Sequence, residues 1–161
     1  ANRAIAAVAA REVDPRKVVF ELTESAAANG SAVIENITRL RMRGFNLSID
    51  DFGTGYSSLQ QLSELPLSEL KVDRCFTSRM IDDPIARAAV ESSLNLAQRL
   101  SLRSCGEGIE TTDILRQLRW MGCTVGQGYL FTKPIPGDQV QTWLTVWPER
   151  RGELIEEWRR D

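Results

Sequence analysis

Short apolar runs ending in a polar residue recur along the chain, each followed by a loop and a stretch of helical spacing. The runs are Val18-Val19-Phe20-Glu21, Leu47-Ser48-Ile49-Asp50, Leu70-Lys71-Val72-Asp73, Leu102 to Glu107, and Thr124-Val125-Gly126-Gln127. Their length and their β-branched or aromatic content predict buried strands, although Arg103 and Ser104 interrupt the fourth. Between them, Val33, Ile34, Ile37 and Leu40 recur at helical spacing up to a stop at Gly44. Asp83-Pro84 reads as an N-cap and first helical position, with Ile85, Ala89, Leu94, Ala97 and Leu100 as the apolar face that follows. A third helix uses Ile114, Leu115, Leu118 and Met121 and ends at Gly122. Pro136-Gly137 opens a fourth, and Leu154 to Trp158 suggests a short terminal one. Ala1 to Ala10 read as the end of a further helix.

Strand alternating with helix predicts a parallel sheet, because parallel strands need crossover connections. In such folds the active groups sit at the carboxyl ends of the strands. Glu21, Asp50, Lys71, Glu107 and Gln127 all fall there. Strand ends are polar anyway where they reach solvent, but five such residues on one rim, with a lysine among acids, point to a site. The pattern alone leaves two architectures open: an open flavodoxin-like sheet, or the later part of a barrel.

Composition narrows the chemistry. The chain has 161 residues, 42% apolar and 26% charged, the profile of one globular domain. Its net charge of −2 offers no basic footprint for duplex nucleic acid. It contains no histidine, which excludes Ser-His-Asp and Cys-His nucleophiles and His-ligated zinc. Hydrolytic chemistry must then run on carboxylates, lysine, amides and an oxygen-ligated metal. Cys75, Cys105 and Cys123 are odd in number and too far apart in sequence for a metal knuckle, which predicts small core residues in a reducing cytoplasm. No apolar run reaches the roughly 18 residues of a membrane span, so no membrane contact is expected from this segment; a longer parent could still be tethered through other domains. Trp120, Trp143, Trp147 and Trp158 are expected to serve packing or an interface rather than to stack on a base.

The most informative stretch is Asp50-Asp51-Phe52-Gly53-Thr54-Gly55-Tyr56-Ser57-Ser58-Leu59. Adjacent carboxylates at a strand end can bridge two divalent ions at the roughly 3.5–4 Å separation of two-metal phosphoryl chemistry. In isolation the same pair would read as an N-cap before a glycine turn. Here the whole segment closely resembles the signature of the EAL domain family, bacterial phosphodiesterases that hydrolyse cyclic di-GMP to linear pGpG. Glu21-Leu22-Thr23-Glu24 is similar to the family's E-x-T-E, Lys71-Val72-Asp73 to its K-x-D, Glu107-Gly108-Ile109-Glu110 to its E-G-V-E, and Gln127-Gly128-Tyr129-Leu130-Phe131 with Pro134 to its Q-G-Y-L-F stretch. The resemblance covers about residues 16–145, leaving 146–161 as a helical tail.

This resemblance implies a TIM-like (β/α) barrel of the EAL type, represented by about its five C-terminal strands. It implies Glu21 and Asp50 as ligands of a first divalent ion, Asp51 as the ligand of or bridge to a second, and Gln127 as the holder of a metal-bound water. Lys71 would position and polarise the attacking water and offset phosphate charge, and Glu107 would act as general base or fix that water. Glu24 would anchor the loop Phe52, Gly53, Thr54, Gly55, Tyr56 and Ser57, which in the family links the metal site to a dimer interface. Asp73 and Glu110 are further candidates; Glu110 could equally sit in the first turn of its helix. Mg²⁺ or Mn²⁺ would serve, Ca²⁺ would inhibit, and a homodimer is expected. The family's Glu-Ala-Leu strand, a ligating Asn and a substrate-holding Arg segment lie upstream of anything in this chain. The expectation is therefore an intact parent that is active and a 161-residue piece that is weak or inactive. Two other readings stay open: a non-catalytic EAL-like cyclic di-GMP receptor, or a protein-interaction module. Gly106, where the family usually has Ala, and Thr124, where Asp is common, are the small departures.

Overall fold

The computed structural model describes residues 1–27, 31–54, 62 and 64–159. In chain order these form α1 (Asn2–Ala9), β1 (Val19–Thr23), α2 (Glu24–Ala27), α3 (Ser31–Met42), β2 (Asn46–Phe52), β3 (Glu69–Val72), α4 (Arg74–Thr77), α5 (Pro84–Arg99), β4 (Arg103–Gly106), α6 (Thr112–Trp120), β5 (Val125–Gly126) and α7 (Val140–Arg159). All strand pairs are parallel, and the sheet runs in the order β1-β2-β3-β4-β5. A flavodoxin-like sheet reverses its order at a switch point. Among the described residues this one does not, so it is a stretch of barrel wall.

Register sorts the side chains into two faces. On one, Leu47, Ile49, Leu70 and Val72 are fully buried among Ile37 and Leu40 of α3, Val90 and Leu94 of α5, and Ile114 and Leu118 of α6. On the other, Glu21, Ser48, Glu69 and Arg103 lie in one row across four strands, and Thr23, Asp50, Lys71 and Cys105 lie in the next. Arg103, which breaks the apolar pattern of its strand, pairs with buried Glu69 at 2.6 Å. Ser104 and Thr124 exchange backbone and hydroxyl hydrogen bonds at 2.9–3.1 Å, which fixes the start of β5 on β4.

Local signals behave as their chemistry dictates. Asp83 accepts from the amides of Ile85 and Ala86 with Pro84 at the first helical position. Gly44 and Gly122 stop their helices with φ of +88° and +86°, a conformation costly for any residue with a β-carbon. The departure at position 106 has a packing cause, since a β-carbon on Gly106 would stand 2.7 Å from a methyl of buried Leu118.

Three expectations fail. The buried stripe of α5 is Ala86, Val90, Ser93, Leu94 and Ala97, whereas Ile85 is 81% exposed; the cap at Asp83 sets a rotation that points the first apolar residue outward. The end of the chain is one helix from Val140 that contains Pro148, not two. Stacked Trp143 and Trp147, with Phe131 edge-on to Trp147, seat the helix segment preceding the proline on the body of the protein. Cys75 is exposed in the first turn of α4, while Cys105 alone of the three is fully buried.

Candidate functional site

Lys71 organises the site. Its side chain is 5% exposed, and its ammonium meets Glu21 at 2.9 Å, Asp50 at 2.9 Å and Glu107 at 2.6 Å. Glu21 comes from the middle of β1, Asp50 from near the end of β2, and Glu107 from just past β4, so the acids reach Lys71 from both sides of β3 and one strand beyond. Burial by itself would make the ammonium easier to deprotonate, but hydrogen bonds to Glu107, Asp50 and Glu21 more than reverse this and hold its pKa well above the ordinary lysine value. Lys71 is therefore a fixed cation at neutral pH. All three of its hydrogen-bonding directions are spent on carboxylates, so it gathers the acids.

Adjacent residues of a regular strand point to opposite faces, so Asp50 and Asp51 could not both serve one site. A bulge solves this. Ile49 pairs with Leu70 and Phe52 with Val72, which leaves Asp50 and Asp51 together opposite Lys71. Asp51 adopts φ of +54°, a left-handed conformation uncommon outside glycine. Thr54 caps the turn, its hydroxyl donating to the Asp51 carbonyl at 2.8 Å. As a result Asp50, Asp51 and Glu107 each bring a carboxylate oxygen within 4.8 Å of the others'.

This convergence is electrostatically uncomfortable. Burial, then repulsion from Asp50 and the shared hydrogen bond with Asp73, raise the Asp51 carboxyl above its usual range. Burial also raises Glu107, despite the opposing bonds from Lys71. Asp73 itself is lowered: burial works against it, but the Cys75 thiol and the amide it caps at 2.8 Å prevail. Burial, followed by the same Asp73, pushes the Cys75 thiol up to about 11, so it is no ready nucleophile. The donor set is all oxygen, anionic and crowded, which fits a hard divalent cation with bonds of about 2.0–2.6 Å.

The remaining sequence candidates take distinct places. Buried Glu24 accepts from the Gly53 amide at 3.3 Å, tying the end of β1 to the loop after β2. Phe52 ends β2, and Gly55, Tyr56 and Ser57 lie outside the described residues. Glu21 is joined to the cluster through Lys71, with half its side chain exposed. Gln127 and Glu110 both line the cleft beside Glu107. Glu110 precedes the N-cap Thr111, so it lies outside the first turn of α6. No motif points to Thr77, whose hydroxyl donates to the Glu107 carbonyl and fixes the backbone behind that acid.

The sequence profile of the EAL domain family matches residues 1–134. The chain is 42% identical over 123 residues to the cyclic di-GMP phosphodiesterase RocR of Pseudomonas aeruginosa, a match over 76% of this chain and 31% of RocR. It superposes on the PaMucR phosphodiesterase in its c-di-GMP complex with a TM-score of 0.80 at 38% identity, over 84% of this chain and 55% of that one. It also superposes on Klebsiella pneumoniae BlrP1 in a manganese and cy-diGMP complex, with a TM-score of 0.75 at 28% identity over 83% of this chain and 34% of the other. The chain thus spans less than a third of the length of the curated relatives it matches. The barrel wall described above is a partial barrel of the EAL type. Among the described residues no helix is long and apolar enough to cross a membrane.

Proposed function

Because this chain belongs to the EAL domain family, we propose that its parent protein hydrolyses cyclic di-GMP to linear pGpG with divalent metal ions, in bacterial second-messenger signalling in the cytoplasm. The observation that carries this reading is the meeting of Asp50, Asp51 and Glu107 around one bulge, with Lys71 bonded to two of them and to Glu21. Glu21, Asp50 and Asp51 would hold Mg²⁺ or Mn²⁺, with Gln127 reaching them through water. When bound, such ions neutralise phosphate oxygens and lower the pKa of water into the working range. Glu107, lifted toward neutrality by burial and fixed from behind by Thr77, is suited to accept the proton of the attacking water. The water oxygen bonds to phosphorus, the 3′-oxygen of one ribose leaves, and the ring opens to a linear dinucleotide.

Glu24 couples this chemistry to the loop beginning at Phe52, and that link to Gly53 supports a homodimer whose interface senses or sets the metal site. A receptor without catalysis would have no use for three acids converging on a strained bulge, so the enzyme reading is preferred. In Mn²⁺ or Mg²⁺ the purified parent is expected to convert cyclic di-GMP to pGpG, followed by chromatography of the nucleotides. Chelation or replacement by Ca²⁺ is expected to stop it, and residues 1–161 alone to turn over weakly or not at all. Hydrolysis that persists in chelator, or a parent that binds the nucleotide in Mn²⁺ without cutting it, contradicts the proposal.

A further inference from the structure

Helix α6 and the far half of α7 leave a gap between them. It is a cavity of about 270 Å³, walled by Leu115 of α6, by Phe131, and by Trp147, Leu154 and Ile155 of α7. Trp147, Arg151, Leu154 and Ile155 are spaced at helical intervals, so they share one face of α7. Trp147 precedes Pro148 and the others follow it. A proline inside a helix removes one hydrogen bond and crowds the preceding turn, which works against flush packing on both sides of it. The aromatic wall is fixed. Phe131 stands edge-on to Trp147 with ring centres 5.9 Å apart, Trp147 stacks on Trp143 at 5.0 Å, and a β-carbon on Gly126 would stand 3.2 Å from the Phe131 ring. The rings hold one another in place, so the cavity is preformed, as ligand sites usually are.

The lining fits one chemistry. Of the apolar and aromatic walls, Leu154 is buried and the rest are half-buried. Arg119 and Arg151 complete the lining; both are exposed, so charge lies where the cavity meets solvent, and among the described residues no acid lines it. Neighbouring Arg150 spends its guanidinium on Glu153 at 3.1 Å. Arg151 makes no ion pair among the described residues. Water is a poor occupant of the apolar part, which lacks the roughly two to four polar partners that a buried water needs, whereas an apolar space of about 150 Å³ already takes up benzene. We infer that the gap between α6 and α7 is a binding site for a small amphipathic carboxylate, whose ring or short alkyl chain fills the cavity and whose head group pairs with Arg151. The site shares no residue with the acid cluster, and it stands whether or not the parent cuts a nucleotide.

Phenylbutyrate and its uncharged counterpart phenylbutanamide test this, titrated by calorimetry into the parent protein with chelator present, so that no metal ion at the acid cluster takes up the carboxylate. Wild type is expected to bind phenylbutyrate saturably and phenylbutanamide about tenfold more weakly, the worth of one charge-assisted hydrogen bond. Arg151→Ala is expected to lose that preference and bind the two probes alike, and Arg151→Lys to recover part of it. Leu115→Trp, which fills the cavity, is expected to bind neither probe while its thermal melt stays close to that of wild type. Arg151 is exposed, so its variants carry the test even if Leu115→Trp fails to fold. Absence of saturable phenylbutyrate binding, equal affinity of wild type for the two probes, an unchanged preference in Arg151→Ala, or full binding by a folded Leu115→Trp overturns the inference.

Discussion

Lys71→Met is expected to cripple both turnover and stability. The side chain is nearly as long, so packing is largely kept, and what is lost is the charge among three carboxylates. Asp50 and Glu107 are the damaging ones, with side chains 23% and 15% exposed; Glu21, at 50%, can turn to water. Breaking a buried ion pair on one side typically costs about 3–5 kcal/mol, and turnover of the parent should fall by about 10²–10³ or more. The pH dependence identifies the cause. Glu107 already has a raised pKa, so between the ordinary 4.5 and that raised value the native state binds protons more readily than the unfolded chain. Stability attributable to this acid therefore grows as pH falls through that window. Without Lys71 the window widens upward, and the variant should be much less stable than wild type at pH 8 but close to it at pH 5, in thermal melts with chelator present. A variant that keeps turnover within tenfold of wild type would remove Lys71 from the account.

Asp51→Asn should separate activity from stability in the opposite sense. Turnover should fall by about 10²–10³ or more, since a neutral amide is a poor partner for a hard cation. The metal-free protein, however, should become slightly more stable, by about 0.5 kcal/mol, because solvent screens a carboxylate this exposed. Two features argue for this. Asp51 is disfavoured as an anion by burial and by Asp50, and Asn tolerates the left-handed backbone at φ of +54° as well as Asp does. The wild-type penalty applies above the raised pKa of Asp51 and disappears as pH falls toward its ordinary value of 3.8. The stabilisation should accordingly be largest near neutrality and vanish in acid. Chemical denaturation in chelator at pH 4 and pH 7.5 measures it; an equal or lower stability at pH 7.5 would mean that the cluster carries no electrostatic strain.

The rim of polar strand ends was legible because a parallel sheet forces it: where a buried apolar run stops, its last polar residue faces the carboxyl edge. Glu21, Asp50, Lys71 and Glu107 were found that way. The cap at Asp83-Pro84 and the stops at Gly44 and Gly122 were legible because each satisfies a local backbone need. The bulge was not. Period-2 reading places Asp50 and Asp51 on opposite faces, and only the register against Leu70 and Val72 reveals the bulge that brings both toward Glu107. Strand order, which decides between barrel wall and open sheet, is likewise a property of pairing that no local pattern encodes. The outward rotation of Ile85 and the exposure of Cys75 depend on how an element meets its neighbours.

The proposed function requires Asp50, Asp51 and Glu107, gathered at the bulge, to hold divalent cations where cyclic di-GMP is cut. Anomalous diffraction at the manganese edge, from crystals of the parent grown with Mn²⁺ and cyclic di-GMP, tests it most directly. Strong peaks ligated by Asp50 and Asp51 and lying against Glu107 are expected, with a phosphate of the nucleotide beside them. Manganese bound elsewhere, or nucleotide seated away from an empty acid cluster, would contradict it.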